Sequence, residues 1–358
     1  MSDDLDDLIK TIDRVVEDHC SRATRTEAEL GIWPANLWSA LDDIGVTNAM
    51  LDEEQGGAGL DFANCMQLLR RCAYHAVPVP LAETYLAGRL LMQSGIAVPK
   101  GVLTVAPVVN DQRLESATPA DGFLFSGIAC AVPWGDRAER ILVPTMLDGT
   151  SMLALLSTKG GTMRTRLNLA GEPRVDISFD RAHVDICVPS PSIEDRLKAE
   201  GALFRSVQMV GALERILEYS VQYANERVQF GRPIGKFQAV QHMLAILAGQ
   251  VAAASAAVDM AVDLSTQQAD EIAVAIAKSR VGESAGKGSD AAHQVHGAMG
   301  FTREHSLHYS TRRLWAWRDE FGGETYWQSR LGRIVAARGG DALWPMLTSM
   351  DARHSNDA

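Results

Sequence analysis

Leu203, Val207, Val210, Leu213, Leu217, Val221 and Ala224 step by three or four residues and so draw an apolar stripe along one long helix. The stripe stops near Phe230, where Phe230-Gly231-Arg232-Pro233 supplies the two residue types that interrupt helices, and a second helical pattern begins at once over Phe237 to Gln268. Further helical segments run from Glu271 to about Gly297 and from Glu304 to Arg318. Four long helices joined by short breaks can hide their apolar stripes only against one another, which predicts a bundle over residues 191–358. The most apolar stretch, Met243 to Leu264, is mostly alanine and carries Gln250, Ser255 and Asp259, so it reads as a closely packed bundle helix and not as a membrane span.

The rest of the chain has a different period. Over residues 1–98 apolar side chains recur at helical spacing, as in Leu37, Leu41, Ile44 and Met66, Leu68, Leu69, Cys72, with a breaker at Gln55 to Leu60 and a turn at Val77 to Pro80 before a helix over Ala82 to Ser94. Between 99 and 190 the runs shorten and fill with β-branched residues: Leu103 to Val109, Phe123 to Val132, Ile141 to Thr145, Met152 to Leu156 and Val175 to Phe179. Asp-Gly, Gly-Gly and proline punctuate them, which indicates a small antiparallel β domain. The expected class is therefore mainly α with a small middle β domain, in three parts: 1–98, 99–190 and 191–358. The last residues, Asp351 to Ala358, read as a frayed end.

At 358 residues the chain exceeds what one core usually serves, in keeping with two or three domains. Its 34 Lys and Arg against 45 Asp and Glu leave a net charge of -11, which disfavours a general grip on nucleic acid or on an anionic membrane. An anionic ligand would need a local basic patch, for which Arg312, Arg313 and Arg318 are candidates. The five cysteines, Cys20, Cys65, Cys72, Cys130 and Cys187, are scattered without metal-ligand spacing, and the first residues, MSDDLDDL, are acidic where a secretory signal is basic. A cytoplasmic protein with reduced thiols and no metal site is the expectation. Gly286-Lys287-Gly288-Ser289 lacks the upstream glycine of a phosphate-binding loop, and His293 and His296, without ligand partners, read as helix-surface or helix-end residues.

Two segments carry chemistry together: Glu226 to Gln241, ERVQFGRPIGKFQAVQ, and Gln294 to Thr302, QVHGAMGFT. With the order helices, β domain, helices, they resemble the acyl-CoA dehydrogenase family, whose FAD lies between subunits. The resemblance implies that Arg227 reaches the FAD diphosphate, since a guanidinium is permanently charged and offers paired donors to phosphate oxygens. It also implies that Gln229, Phe230, Ile234, Phe237 and Gln238 line the adenine and diphosphate channel. Gln294, Gly297 and Gly300 match the family's glutamine and glycines, with Ala298 where a second middle glycine is usual. Acyl-CoA as substrate, an electron-transfer flavoprotein as acceptor and an assembly of at least a dimer, homo- or hetero-tetrameric, follow from the same resemblance.

One residue of that pattern is missing. Removing the α proton of an acyl thioester requires a desolvated carboxylate. The family's usual glutamate falls on Gly323, leaving Glu324 next to it as candidate base. The other position used in the family, on the long helix, falls on Gly201, beside Glu200. Two readings follow. Either Glu324 or Glu200 is the base of an FAD-dependent acyl-CoA dehydrogenase, or the chain is a non-catalytic subunit that completes the FAD site of a partner. Trp134, in Val132-Pro133-Trp134-Gly135, is a candidate to stack on a flavin or to fill the β core.

Overall fold

A computed structural model describes residues 2–116 and 122–352. The first part is helical: α1 (Ser2–His19), α2 (Arg22–Glu29), α3 (Ala35–Asp43), α4 (Phe62–Tyr74) and α5 (Leu81–Gln93). Asp61 begins α4 by accepting a hydrogen bond from the backbone N–H of Asn64, which satisfies one of the donors that a helix start leaves open. α5 is buried from Leu81 to Leu91, so its Glu83 and Arg89 must find partners inside the protein.

The middle part is one seven-stranded sheet of β1 (Leu103–Val105), β2 (Val108–Ser116), β3 (Phe123–Pro133), β4 (Arg140–Leu147), β5 (Thr150–Ser157), β6 (Gly161–Leu167) and β7 (Pro173–Pro189). Its order is β1-β4-β5-β7-β3-β2, with β6 added alongside β7. The expected antiparallel pairing holds for every neighbour but one: β1 lies parallel to β4, with Leu103 opposite Arg140. Ala106-Pro107 breaks the expected Leu103 to Val109 run into β1 and β2, because proline cannot donate to a ladder. β6 escaped the sequence pattern since its side chains beyond Gly161 are all exposed, leaving no apolar alternation to read. Phe125, Val132, Ile141, Val143, Leu156, Val175 and Ile177 form a second, smaller core within this sheet.

The third part holds α6 (Ile193–Glu226), a two-residue pair β8 (Val228–Gln229) and β9 (Arg232–Pro233), α7 (Gln238–Leu264), α8 (Glu271–His296), α9 (Leu307–Asp319), α10 (Glu324–Arg338) and α11 (Leu343–Ala352). The predicted bundle forms around α6, which α4, α5, α7, α8 and α9 surround. Every residue of α6 from Ala199 to Leu213 is buried, so the expected one-sided stripe is replaced by burial all round. Gly211 is needed there, because a Cβ would lie 2.2 Å from the Arg70 carbonyl oxygen of α4. α7 buries only the seam Leu247, Val251, Ala254, Val258, Ala261 and Val262, and its alanine-rich outer face, including Ile246, Gly249 and Ala253, is exposed. α7 is also the one described helix long and apolar enough to cross a membrane by composition, while its inner seam packs on α8 and α6. Of the tail expected to fray, Asp351 and Ala352 belong to α11, and the remainder lies outside the described residues.

Candidate functional site

The chain leaves α6 at Arg227 and turns back through a two-residue hairpin. Gln229 pairs with Arg232 across Phe230 and Gly231, which both have left-handed backbones, at φ 52 and 78. Such a turn matches the twist of paired strands but is costly for phenylalanine, and the ring is 93% exposed at its tip. A bulky side chain held in a disfavoured conformation and pointed at solvent is a mark of a contact made with something else. Around it, the Arg227 guanidinium and the side-chain amides of Gln238 and Gln294 have no partner among the described residues and are exposed. Gln229 donates to the Val228 carbonyl, and Phe237 packs edge-on to Phe230 at 6.1 Å with Arg232 over its face. Ile234 is half-buried beside them.

The second segment sits at the same end of the bundle. His296, the last residue of α8, stacks on Tyr223 of α6 with ring centroids 4.6 Å apart, one turn before Arg227. Gly297 then reverses the chain at φ 58, a conformation an L side chain rarely adopts. A Cβ at Gly300 would meet His293 Nδ1 at 3.0 Å and the His296 Cβ at 3.1 Å, a tight fit that would push against the buried histidines. Arg227, Gln229, Phe230, Gln238, Gln294 and Gly297 are exposed, Ile234 and Phe237 are half-buried and Gly300 is buried, and the Tyr223–His296 stacking links the two segments that carry them.

His293 and His296 are not the surface residues the sequence suggested; they are 8% and 3% exposed. The His293 ring lies between Phe301 and Trp315, centroids 4.4 and 5.6 Å away, and its Nε2 meets Thr311. His296 Nδ1 donates to the Ala292 carbonyl at 2.8 Å, leaving Nε2 buried and unpartnered next to His305. Burial lowers all of these imidazoles, and His296 and His308 nearby help push His305 down to about 4. Only histidine spacing was visible beforehand, and it gives no hint of the stacking partners.

The region of the candidate base is very different. Gly323 precedes α10, and Glu324 opens that helix with its carboxylate paired to Arg318 and laid against Gly282 of α8. Glu200 is fully buried: Oε2 accepts from Arg89 Nε at 2.9 Å, and Oε1 accepts from Gln93 Nε2 at 2.9 Å and from the Ala269 N–H at 3.0 Å. It is a fixed tie between α5, α6 and the turn before α8, with no lone pair aimed at a ligand space. The expectation that a small rearrangement could make Glu200 a base is therefore corrected.

Gly201, beside it, is covered by the Phe321 ring. A Cβ there would lie 2.3 Å from the ring. Next to this contact runs a largely buried network of three arginines and three glutamates, with Glu320 partly exposed. Arg205 donates to Glu83 at 2.5 Å and to Glu320 at 2.7 Å; Arg174 donates to Glu320 and, at 3.2 Å, to Glu172; Arg313 lies 3.3 Å from Glu172. Burial would raise the Glu320 carboxyl, but Arg174 and Arg205 hold it at about 2. Lys278, buried in α8, donates to the carbonyls of Trp317 and Arg318 at 2.8 and 2.7 Å, closing the end of α9. Burial pushes that amine down to about 7.

Two other expectations change. Arg312, Arg313 and Arg318 do not make a free basic patch, because each is held by a glutamate, Glu29, Glu172 and Glu324 respectively. Trp134 is buried at φ 54 and stacks edge-on to Trp33 at 6.2 Å, so it joins the sheet to the N-terminal helices instead of facing a ligand.

Solved structures share this architecture. Butyryl-CoA dehydrogenase of Megasphaera elsdenii superposes with a TM-score of 0.84 at 20% identity, covering 93% of this chain and 98% of that one. The ChsE4-ChsE5 complex of Mycobacterium tuberculosis gives 0.83 at 24% identity, covering 93% and 97%. The fold is that of an acyl-CoA dehydrogenase. Family models for the acyl-CoA dehydrogenase N-terminal and C-terminal domains match residues 2–97 and 199–318. The acyl-CoA dehydrogenase IpdE2 of Mycobacterium tuberculosis is 30% identical over 279 residues, spanning 78% of this chain and 80% of its own. That of Mycolicibacterium smegmatis is 27% identical over 315 residues, spanning 86% and 91%. The chain belongs to the acyl-CoA dehydrogenase family, a family of FAD-dependent oxidoreductases.

Proposed function

We propose that the chain is the FAD-site-completing subunit of a hetero-oligomeric acyl-CoA dehydrogenase that introduces the α,β double bond of an acyl-CoA thioester and passes electrons to an electron-transfer flavoprotein in the cytoplasm. One observation carries the reading: glycine stands at the base position 323, and the nearby Glu324 and Glu320 and the more distant Glu83, Glu172 and Glu200 are held in ion pairs. A carboxylate whose oxygens are already taken up by arginine is poorly placed to take a proton from a substrate carbon. Asp319, whose Oδ1 lies 3.3 Å from where a Cβ of residue 323 would be, is exposed to water and so lacks the desolvation a base needs.

The bundle edge fits FAD. The unpartnered Arg227 suits a diphosphate, the amides of Gln229, Gln238 and Gln294 suit sugar and base edges, and Phe230, Ile234 and Phe237 suit the adenine face. Gly297, at φ 58 and with open space where a Cβ would be, leaves its backbone free for a ligand to approach. FAD, when bound, supplies the two-electron acceptor. What this chain contributes is orientation of the nucleotide half, while the proton-abstracting carboxylate comes from the partner. The exposed apolar face of α7 supports an assembly of at least a dimer, and a structural relative solved as a ChsE4-ChsE5 complex supports a second kind of chain.

Expression alone and beside a candidate partner tests this. Colourless protein alone that gains flavin, and bleaches on adding acyl-CoA, only when co-expressed agrees with it. Yellow protein that bleaches alone overturns it and favours the second reading, a self-sufficient enzyme with Glu324 as base after its Arg318 pair opens; Glu324→Gln would then abolish bleaching.

A further inference from the structure

We propose that Phe321 is a built-in stopper that closes an acyl-accepting pocket between α5 and α6 of this chain. The proposal rests on the reading of the chain as a non-catalytic subunit and says what keeps its own pocket shut. Ala82 and Leu86 of α5, Val105 of β1 and Gly201 and Phe204 of α6 form an apolar wall, which the buried Glu83–Arg205 ion pair completes. The space left inside is only about 10 Å³, about the minimum for one water. Phe321 fills the remainder.

The way it does so is unlike ordinary core packing. Phe321 has a left-handed backbone at φ 56, an outlier for so bulky a residue, and is followed by Gly322 at φ 98 and by Gly323. The preceding residue, Glu320, is tied to Arg174 and Arg205, while the Phe321 carbonyl accepts from Trp327 Nε1 at 3.2 Å. A short loop is thus held at both ends in a strained form that pushes one aromatic ring against the bare backbone of Gly201. Removing the ring opens a mostly apolar cavity whose charged members, Glu83 and Arg205, neutralise each other, which suits the hydrocarbon part of an acyl chain. Engineered apolar cavities of about 150 Å³ stay dry and take up ligands of benzene size.

The test counts binding sites on the full chain in its assembled form, with the fluorescent fatty acid cis-parinaric acid as probe. Phe321→Ala is expected to add one probe site per copy of this chain, and Ala82→Phe in the same background is expected to remove it by refilling the space. Phe321→Leu covers the case in which Ala does not fold, and is expected to show the same extra site with weaker affinity. A folded variant with no site beyond those of the wild-type assembly overturns the proposal, as does a wild-type assembly that already holds one probe per copy of this chain in addition to one per copy of its partner. Acyl-CoA bleaching by the wild-type chain alone would sink the underlying subunit reading, whereas a missing extra site with no such bleaching sinks the stopper alone.

Discussion

Glu200→Gln separates a structural carboxylate from a catalytic one. In the native chain Glu200 accepts three hydrogen bonds and neutralises Arg89, whose guanidinium also lies over the Phe62 ring, 3.8 Å from its centroid. Glutamine keeps one acceptor oxygen and turns the other into a donor that must face Arg89, Gln93 or the Ala269 N–H. Removing one partner of a buried ion pair costs about 3–5 kcal/mol. Arg89 keeps the carbonyls of Ser265 and Thr266, so the lower end of that range is expected. With a urea dependence of roughly 3 kcal/mol per molar, a loss of about 3 kcal/mol moves the unfolding midpoint by about 1 M. The assay is urea unfolding followed by circular dichroism on both proteins, with turnover of the assembled enzyme measured below the transition. An unchanged midpoint with abolished turnover would refute the structural assignment and make Glu200 the base.

Arg227→Ala should weaken FAD binding about 10- to 100-fold, from the loss of a charge-assisted contact of about 1.5–3 kcal/mol; full flavin occupancy at limiting FAD would remove Arg227 from the site. Gly201→Ala should destabilise the chain by about 1–3 kcal/mol through collision with Phe321, and adding Phe321→Ala should recover part of that loss, so additive thermal shifts would contradict the contact. The histidine cluster sets a pH effect: burial holds His293, His296, His305 and His308 below 6.5, His305 at about 4. Unfolded chains take up these protons first, so stability is full above 6.5 and falls as the pH drops toward 4. Glu320, held at about 2, loses its contribution only below its ordinary 4.5, in a separate window. A urea midpoint that does not drop between about pH 7.5 and about pH 5, or a His305→Gln variant with the same slope, counts against this.

Local patterns were legible because they depend on neighbours in the chain. The α6 stripe, the glycine-proline turn after it and the β-rich runs each gave an element within a few residues of its place. What the sequence could not disclose is long-range pairing of polar groups. Glu83, Glu172, Arg174, Arg205, Arg313 and Glu320 look like unrelated surface charges until the fold brings them together. Arg313 was misread for that reason. The Phe321 contact was hidden too, since a Phe-Gly-Gly string reads as any loop, and only its left-handed backbone against Gly201 distinguishes it.

The six linked charges, all but the partly exposed Glu320 buried, come from α5, the turn before β7 and β7 itself, α6, α9 and the residue just past α9. If any one of these parts detached, an arginine or glutamate would be stranded away from both water and its counter-ion, a penalty of several kcal/mol for each stranded ion. Partial melting is thereby made expensive, and the helical and β regions are coupled into a single cooperative unit. Calorimetry of the chain should accordingly record one heat-absorption peak and not a staircase of domain transitions.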